Sequence, residues 1–220
     1  HISEKGGAFN PSTFEYAGPQ NSFDLEFGQW TDDPSMGLCM ADSLLELKKY
    51  DGKDIRERFW YWWFTGYNNA FKYDPKRNKS VGLGGNIGKS LYSIPVKDGF
   101  PTVTEGVYKP EDKRDQKDAG NGSLMRLAPI PLFFKNPEDA LKYSQLSSLT
   151  THPGKDALVC AGVFGLLINM AVSHATDCSA KVFLEDALAR IPVQGKMLQL
   201  IQAKEEPDSP NFCWNWRMET

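Results

Sequence analysis

The sequence predicts an all-α domain whose long polar loops carry the functional residues. Apolar residues recur at spacings of three and four along much of the chain, strand-like alternation is sparse, and there is no internal repeat. Hydrophobic residues make up 40% of the 220 residues, which is enough to build a core without help from disulfides or structural metals. We therefore expect a single multi-helix domain over residues 1–220.

The first two helices are predicted after residues 1–30, a Gly- and Pro-containing segment that is typical of loop. An amphipathic pattern runs from Pro34 to Lys49, and Asp51-Gly52 interrupts it. A second helix is predicted over Ile55 to Asn69. We interpret its many aromatic side chains as core, because large rings are most often buried for packing.

The middle of the chain is polar and glycine-rich. Residues 73–85 lead into Gly82 to Asn86, and a short helix is predicted over 87–93. Residues 95–120 show little helical pattern, and a loop of that length inside a compact domain is usually functional or mobile. Helices are then predicted over 123–134, 137–149, 154–174, 180–191 and 195–205.

Composition excludes several classes of protein. A net charge of −3 argues against binding to the phosphate backbone of nucleic acids. No signal peptide is visible, and the apolar stretch Ala157 to Ile168 is shorter than the roughly 20 residues that cross a bilayer, so we expect a buried helix and no membrane partner. The cysteines form no C-x-x-C pair, which favours reduced thiols and a cytoplasmic protein; they are Cys39, Cys160, Cys178 and Cys213.

The segment Gly28 to Met36 places Thr31, Asp32 and Asp33 where a loop enters a helix. A hydroxyl and two adjacent carboxylates supply the oxygen ligands that hard divalent cations prefer. The alternative is helix capping, because Asp32 or Asp33 before Pro34 is a good N-cap with proline at the first helical position. The three residues are therefore candidate metal ligands with a structural alternative.

A second motif, Ala119 to Arg126, is a glycine-rich loop predicted to enter a helix from Leu124 to Phe134. Gly120, Gly122 and Ser123 would let backbone N–H groups approach a phosphate or ribose, and the helix N-terminus would add its dipole. A tight turn with an Asn or Ser cap explains the same residues.

A third motif, Thr151-His152-Pro153, precedes the long apolar helix. His152 could donate a hydrogen bond to a phosphate or ribose. The alternative is a structural histidine at a helix start, which is the more common role.

Taken in order, these motifs resemble the ADP-ribosylglycohydrolases, a family that includes the enzyme that reactivates dinitrogenase reductase. The resemblance covers about residues 26–175. The segments that carry it are Thr31 to Met36, Val81 to Asn86, Gly120 to Arg126 with Ala128-Pro129, and Thr151 to Pro153.

The resemblance implies an all-helical fold with two Mg²⁺ ions, sometimes Mn²⁺, at the base of an ADP-ribose cleft. It implies that Thr31, Asp32 and Asp33 bind metal or orient water, with Asp33 and Asp32 as the catalytic carboxylates. The implied reaction cleaves the glycosidic bond between ADP-ribose and a modified protein side chain or related conjugate. The residues implied to contact the ligand are Gly120, Asn121, Gly122, Ser123, Met125 and His152.

Two segments of the family pattern are missing. Nothing before Phe27 matches the family's first helix, which carries a Gly-Asp pair. The closing Gly-Asp-x-Asp-Thr motif, which supplies the remaining metal carboxylates, is also missing, and Asp177-Cys178-Ser179 is a poor match to it. We expect a truncated chain with half of a binuclear site; a natural variant with a weakened site is the alternative.

Three other functions stay open. The chain could be a non-catalytic ADP-ribose or nucleotide-binding module that keeps the glycine loop without turnover. It could also be a metal-dependent hydrolase of another nucleotide-like glycoside, or a helical interaction domain. The sequence does not indicate whether the bond cleaved is to Arg, Ser or another acceptor.

Overall fold

A computed structural model describes residues 23–26, 28–72, 76–117, 119–173 and 179–190. This part of the chain contains seven α-helices and one short antiparallel hairpin, which confirms the predicted all-α class. The elements are α1 (Asp32–Leu47), α2 (Gly52–Thr65), α3 (Gly85–Tyr92), β1 (Val96–Lys97), β2 (Phe100–Pro101), α4 (Pro129–Phe133), α5 (Pro137–Ser148), α6 (Lys155–Ser173) and α7 (Ala180–Ala189), with 3-10 turns at Asp115–Lys117 and Asn121–Ser123.

Local signals explain where α2 and α5 begin and end. The Asp51 side chain accepts hydrogen bonds from two backbone N–H groups of the first turn of α2. Gly66 ends α2 in the left-handed conformation, with φ of 82°. Asn136 caps α5 in the same way as Asp51, and Pro137 occupies the first helical position.

The main core lies between α1, α2, α3 and α4. The aromatic residues of α2 are largely core, as predicted, because Phe59 and Trp62 are fully buried and Trp60 is nearly so. Phe64 is the exception and is 41% exposed. The buried residues that α1, α3 and α4 contribute are Met36, Cys39, Met40, Leu44, Ile87, Leu91 and Ile130.

Helix α6 packs along α5 through small residues. A Cβ atom added at Gly162 would lie 2.6 Å from Cγ of Gln145 in α5, so the two backbones approach closely. Asn169 on α6 donates to the carbonyls of Pro131 and Phe134, which ties α6 to α4. By length and composition alone α6 could cross a membrane, and 44% of the apolar window is buried against the protein.

The helix predicted over 123–134 is wrong in its first half. Asn121–Ser123 form a 3-10 turn and α4 begins only at Pro129. A continuous helix would place Pro129 and Pro131 in its interior, where proline lacks the N–H and its ring clashes with the carbonyl four residues earlier. The glycine loop therefore does not sit at an α-helix N-terminus, and the expected helix dipole is absent there.

The long segment 95–120 is irregular in its described part, as predicted, apart from the hairpin and one 3-10 turn. Arg56 of α2 holds it to the core by donating to the carbonyls of Glu105 and Val107. Cys39 and Cys160 are free thiols, while Cys178, Cys213, Asp177 and the helix predicted over 195–205 lie outside the described residues.

Candidate active site

The Thr31-Asp32-Asp33 segment forms the N-cap position and the first two residues of α1, and neither aspartate is the cap. The helix begins at Asp32, Thr31 is the N-cap residue, and no side chain caps the helix there. The Thr31 hydroxyl instead lies 3.3 Å from a carboxylate oxygen of Asp33. Capping by Asp32 or Asp33 is therefore wrong, because the helix starts earlier than expected and Pro34 sits inside the first turn, where its missing N–H costs nothing.

Asp32 is a buried carboxylate without a counter-charge in contact. Its side chain is 7% exposed, and its Oδ1 atom is buried without a hydrogen-bond partner in the described protein. Burial, and next the neighbouring charge of Asp33, raise the pKa of Asp32 from 3.8 to about 6. A bound cation would stabilise the ionised Asp32 carboxylate, because an uncompensated buried charge is costly.

The loop before α3 crosses over Asp32 at Gly82. A Cβ atom at this position would overlap the Asp32 carboxylate, and Gly82 has a φ of 91°, which side chains rarely adopt. Only glycine allows the backbone to pass so close. The segment Val81 to Asn86, predicted as a loop before a short helix, is therefore built against the Thr31-Asp32-Asp33 turn.

The glycine loop of the second motif lies against His152. A Cβ atom added at Gly122 would lie 2.9 Å from Cε1 and 3.1 Å from Nε2 of the His152 ring. A Cβ atom at Gly120 would lie 2.9 Å from Nδ2 of Asn86 and 3.5 Å from Nε2 of the same His152 ring. The second and third motifs are thus in contact, and α3 brings the Gly82 loop beside them.

Arg126 connects all three motifs. It ends the second motif, and its Nη1 atom lies 3.8 Å from the sulfur of Met36 in α1. Its Nη2 atom donates to the hydroxyls of Thr150 at 3.0 Å and Thr151 at 2.6 Å. The guanidinium also lies 4.7 Å from the centre of the Phe59 ring. One buried side chain therefore contacts residues of the first and third motifs and belongs to the second.

Arg126 is buried as a cation. It is 1% exposed, and burial lowers its pKa to about 9, so the guanidinium stays charged at neutral pH. The carboxylate of Asp32 partly offsets this effect. Asp32 and Arg126 are thus opposite buried charges that influence each other without forming an ion pair.

The other residues predicted to contact ligand lie in different environments. Asn121 is exposed on the glycine loop. Ser123 is fully buried, with a hydroxyl that has no partner among the described residues, so it does not face a ligand in this conformation. Met125 is half-buried and packs against the main core. Contact between these residues and a ligand stays a prediction.

The oxygen atoms at the start of α1 fit a hard cation, but they are few. Thr31, Asp32 and Asp33 offer only hydroxyl and carboxylate oxygens, the donors that Mg²⁺ prefers, and one of them is the orphaned Oδ1 of Asp32. Within the described residues no group of three or more His, Cys, Asp or Glu side chains is close enough to hold a metal ion. A complete metal site would need further ligands.

The described surface has a cavity of about 600 Å³ elsewhere. It is lined by Arg56 and by residues of the segments 93–95 and 102–111. None of the residues predicted from the motifs lines it, so this cavity gives no support to the predicted cleft.

No role was predicted from the sequence for Arg126, Gly82 or Asn86. The signal for Arg126 was its position in an otherwise apolar run, Leu124 to Ala128, where a charge needs buried partners. For Gly82 and Asn86 the sequence offered only a glycine-rich loop, and what those residues touch depends on the tertiary structure.

Comparison with known proteins agrees with these motifs. A sequence model of the ADP-ribosylglycohydrolase family matches residues 2–215, a wider range than the motifs cover. The chain is 28% identical over 179 residues to ADP-ribosylhydrolase ARH3 of Gallus gallus, which covers 79% of this chain and 42% of that protein. It is also 28% identical over 154 residues to ADP-ribosylarginine hydrolase Tri1 of Pseudomonas putida (strain GB-1), covering 70% of this chain and 38% of that protein.

The human ADP-ribosylhydrolase ARH3 is 26% identical over 182 residues, which is 80% of this chain and 44% of that protein. The chain thus spans less than half the length of each of these three relatives. Because the family match extends over almost all of its residues, the chain belongs to the ADP-ribosylglycohydrolase family.

Proposed function

We propose that this protein is a magnesium-dependent hydrolase that cleaves the glycosidic bond between ADP-ribose and a modified protein side chain. The observation that carries the proposal is the meeting of three motifs around Arg126, which joins Met36, the glycine loop and Thr151. Membership of the family, and relatives that are named as ADP-ribosylhydrolases, support the same reaction.

Thr31, Asp32 and Asp33 are the residues that would hold Mg²⁺. When bound, the ion would fix the ribose hydroxyls and polarise water near the anomeric carbon. Its charge would also favour the ionised form of Asp32, whose pKa is raised by burial and next by the charge of Asp33. Mn²⁺ offers similar oxygen preference and would substitute for it.

Asp33 is the proposed acid–base residue. It is half-buried, more open than Asp32, and held near the Thr31 hydroxyl. It would take the proton from the attacking water as the glycosidic bond breaks through an oxocarbenium-like transition state. The backbone N–H groups of the glycine loop would contact the ribose and phosphates, because Gly120 and Gly122 have no side chains of their own to keep a ligand away.

The direct test measures release of ADP-ribose from an ADP-ribosylarginine peptide and an ADP-ribosylserine peptide, with Mg²⁺ or with EDTA. We expect release only with Mg²⁺ and a loss of at least about 100-fold in Asp33→Asn, since acid–base groups contribute rate factors of that order. The matched control is Asp156→Asn, another acidic residue in the first turn of a helix but exposed on α6, which should stay within about twofold of wild type.

The outcomes separate the competing functions. Equal release in EDTA would refute the magnesium dependence, and full activity of Asp33→Asn would refute the role of Asp33. Binding of ADP-ribose without release would favour the non-catalytic module, which the small number of described carboxylates at the site also favours. If the protein neither binds ADP-ribose nor releases it from the peptides, both functions are refuted.

A further inference from the structure

Arg56 of α2 is a buried cation outside the three motifs. It is 6% exposed, and the hydrogen-bond partners of its Nη atoms are all uncharged groups. Nη1 donates to the carbonyls of Glu105 at 2.8 Å and Val107 at 3.4 Å. Nη2 donates to the carbonyl of Ser90 at 3.3 Å, and Nε is buried without a partner in the described protein. Only dipoles therefore surround the charge of the guanidinium.

No carboxylate of the described residues forms an ion pair with Arg56. The carboxylate of Glu105 instead pairs with Lys109 at 2.6 Å. Burial lowers the pKa of Arg56, and the charge of Glu105, acting without an ion pair, partly offsets this effect. Because arginine does not lose its proton in proteins, the buried charge persists. An anion in contact would stabilise it, since an uncompensated buried charge is costly.

Arg56 is also part of the wall of the cavity of about 600 Å³ beside the segment 102–111. That volume lies in the range of roughly 300–1,000 Å³ that small-molecule sites have in proteins. Hydroxyl groups and apolar side chains share the rest of the wall, a mixture that matches a small organic molecule with one polar end. The hydroxyls include those of Ser93, Thr102 and Thr104, and the apolar side chains include Ile94, Val103 and Val107.

Hydrogen bonds hold this wall in place. The backbone N–H of Tyr108, a wall residue, donates to the carbonyl of Leu149 at 2.8 Å. Ser90, whose carbonyl accepts from Arg56, donates through its hydroxyl to the carbonyl of Thr150 at 2.8 Å. The cavity is therefore formed before a ligand binds, which lowers the entropy cost of binding.

The charged residues of the wall differ in how strongly water screens them. The side chains of Lys109 and Glu105 are 70% and 50% exposed, so their ion pair contributes little and breaks readily. Glu111 is exposed as well. Arg56 alone among these four is buried, and an electrostatic contact is strongest where water is excluded. The cavity therefore favours a negative group although two cations and two carboxylates line it.

We propose that this cavity binds a small organic molecule through an oxyanion, either a phosphate or a carboxylate. The oxyanion accepts from Nη1 of Arg56 in place of the Val107 carbonyl, the longer of the two contacts of that atom. The exchange is favourable because a charge-assisted hydrogen bond is stronger than one to a carbonyl. Lys109 supplies a second cation when it leaves Glu105. No residue of the three motifs lines the cavity, so the proposal does not depend on the proposed function.

The test is an NMR titration of the full chain labelled with ¹³C and ¹⁵N, in which the Nε–H signals of the arginines are followed. The Arg56 signal is assigned through bonds to its own backbone, so the wild type alone is sufficient. Phenyl phosphate and benzoate are the two probes, which separate a phosphate site from a carboxylate site. Benzamide is their uncharged counterpart, at equal ionic strength.

We expect a saturable shift of the Arg56 signal with one or both anions and no shift with benzamide. A response to only one anion identifies the class of the ligand. No shift with either anion, or an equal shift with benzamide, would overturn the proposal. Arg126, where the motifs meet, is the internal control. A larger shift of Arg126 than of Arg56 would place the anion at the motifs and would also overturn the proposal.

Variants then test which cations hold the anion, with the backbone signal of Thr104 in the wall as the readout. Arg56→Lys keeps the charge but loses the planar set of donors, and it should weaken binding by at least about tenfold. Lys109→Gln changes only an exposed side chain, so it tests the site even if Arg56→Lys does not fold, and it should weaken binding by about fivefold.

The matched control is Lys113→Gln, an exposed lysine of the same segment that does not line the cavity. It should stay within about twofold of the wild type. Wild-type affinity in Arg56→Lys or in Lys109→Gln would refute the contact assigned to that residue. Equal weakening in Lys109→Gln and Lys113→Gln would show that general surface charge, and not this cavity, attracts the anion.

Discussion

Replacing Asp32 by Asn should stabilise the metal-free protein at neutral pH. The folded structure raises the pKa of Asp32 from 3.8 to about 6, chiefly through burial. The folded protein therefore binds this proton more tightly than the unfolded chain. As a result, the free energy of unfolding falls as the pH rises between these two values and stays at the lower level above them.

The size of the effect follows from the two pKa values. At about 1.4 kcal/mol for each pKa unit, the difference between 3.8 and about 6 corresponds to about 3 kcal/mol. Asp32 is 7% exposed, so solvent screening reduces this figure little. Asparagine has nearly the same shape and no charge, and it should recover most of that stability at neutral pH.

The assay is urea denaturation followed by tryptophan fluorescence, in EDTA, at about pH 8 and about pH 4. Asp32→Asn should raise the free energy of unfolding at the higher pH by up to about 3 kcal/mol. At the lower pH it should change little, since Asp32 of the wild type is already mostly protonated there. Asp156→Asn, an exposed carboxylate, should change stability by less than about 0.5 kcal/mol at either pH.

Mg²⁺ should reverse the order of stability of the wild type and Asp32→Asn. Added Mg²⁺ is expected to stabilise the wild type at about pH 8, because a ligand that binds only the folded state favours it. It should have little effect on Asp32→Asn, which has lost one of the ligand charges. If Asp32→Asn is no more stable than the wild type in EDTA at that pH, Asp32 is not an uncompensated buried charge.

Two glycine substitutions test the close approaches that position the site. Gly82→Ala would overlap the Asp32 carboxylate in a strained backbone conformation, so we expect a loss of about 1–3 kcal/mol by thermal melting. Gly84→Ala, where a Cβ atom would make only an ordinary contact with Cδ1 of Ile87 at 3.8 Å, should be nearly neutral, and equal stability of the two would contradict the Gly82 contact. Gly165→Ala would drive a methyl group into Ser144 across the α5–α6 contact and should cost about 1–3 kcal/mol; a wild-type melting temperature would refute this contact.

The sequence predicted most of the fold because the elements depend on local patterns. The apolar spacing from Pro34 to Lys49 located α1 to within two residues of Asp32–Leu47 at each end. The helix predicted over 123–134 is wrong in its first half, because Pro129 and Pro131 prevent a continuous helix there although the apolar residues have helical spacing. The spacing of apolar residues indicates which of them can share one face of a helix, whereas a proline in the interior prevents the backbone from forming that helix.

The candidate site was predictable as a set of motifs and not as an arrangement. Thr31 to Asp33, the glycine loop and Thr151-His152 could be recognised because each is a short run of defined residues. Their meeting depends on Arg126, whose partners lie as far as 90 residues away in the chain. Contacts at such separation follow from the packing of helices and leave no periodic trace in the sequence.

By itself, the sequence determined the helical class, the family resemblance and the oxygen-rich turn at Thr31-Asp32-Asp33. Only the tertiary structure decided that neither aspartate of this turn caps the helix, that Asp32 is buried without a counter-charge in contact, and that Gly82 lies against it. The physical reason is that the identity of a residue specifies only which of its atoms can donate or accept a hydrogen bond. Burial and distance, which set a pKa, arise only when remote segments fold together.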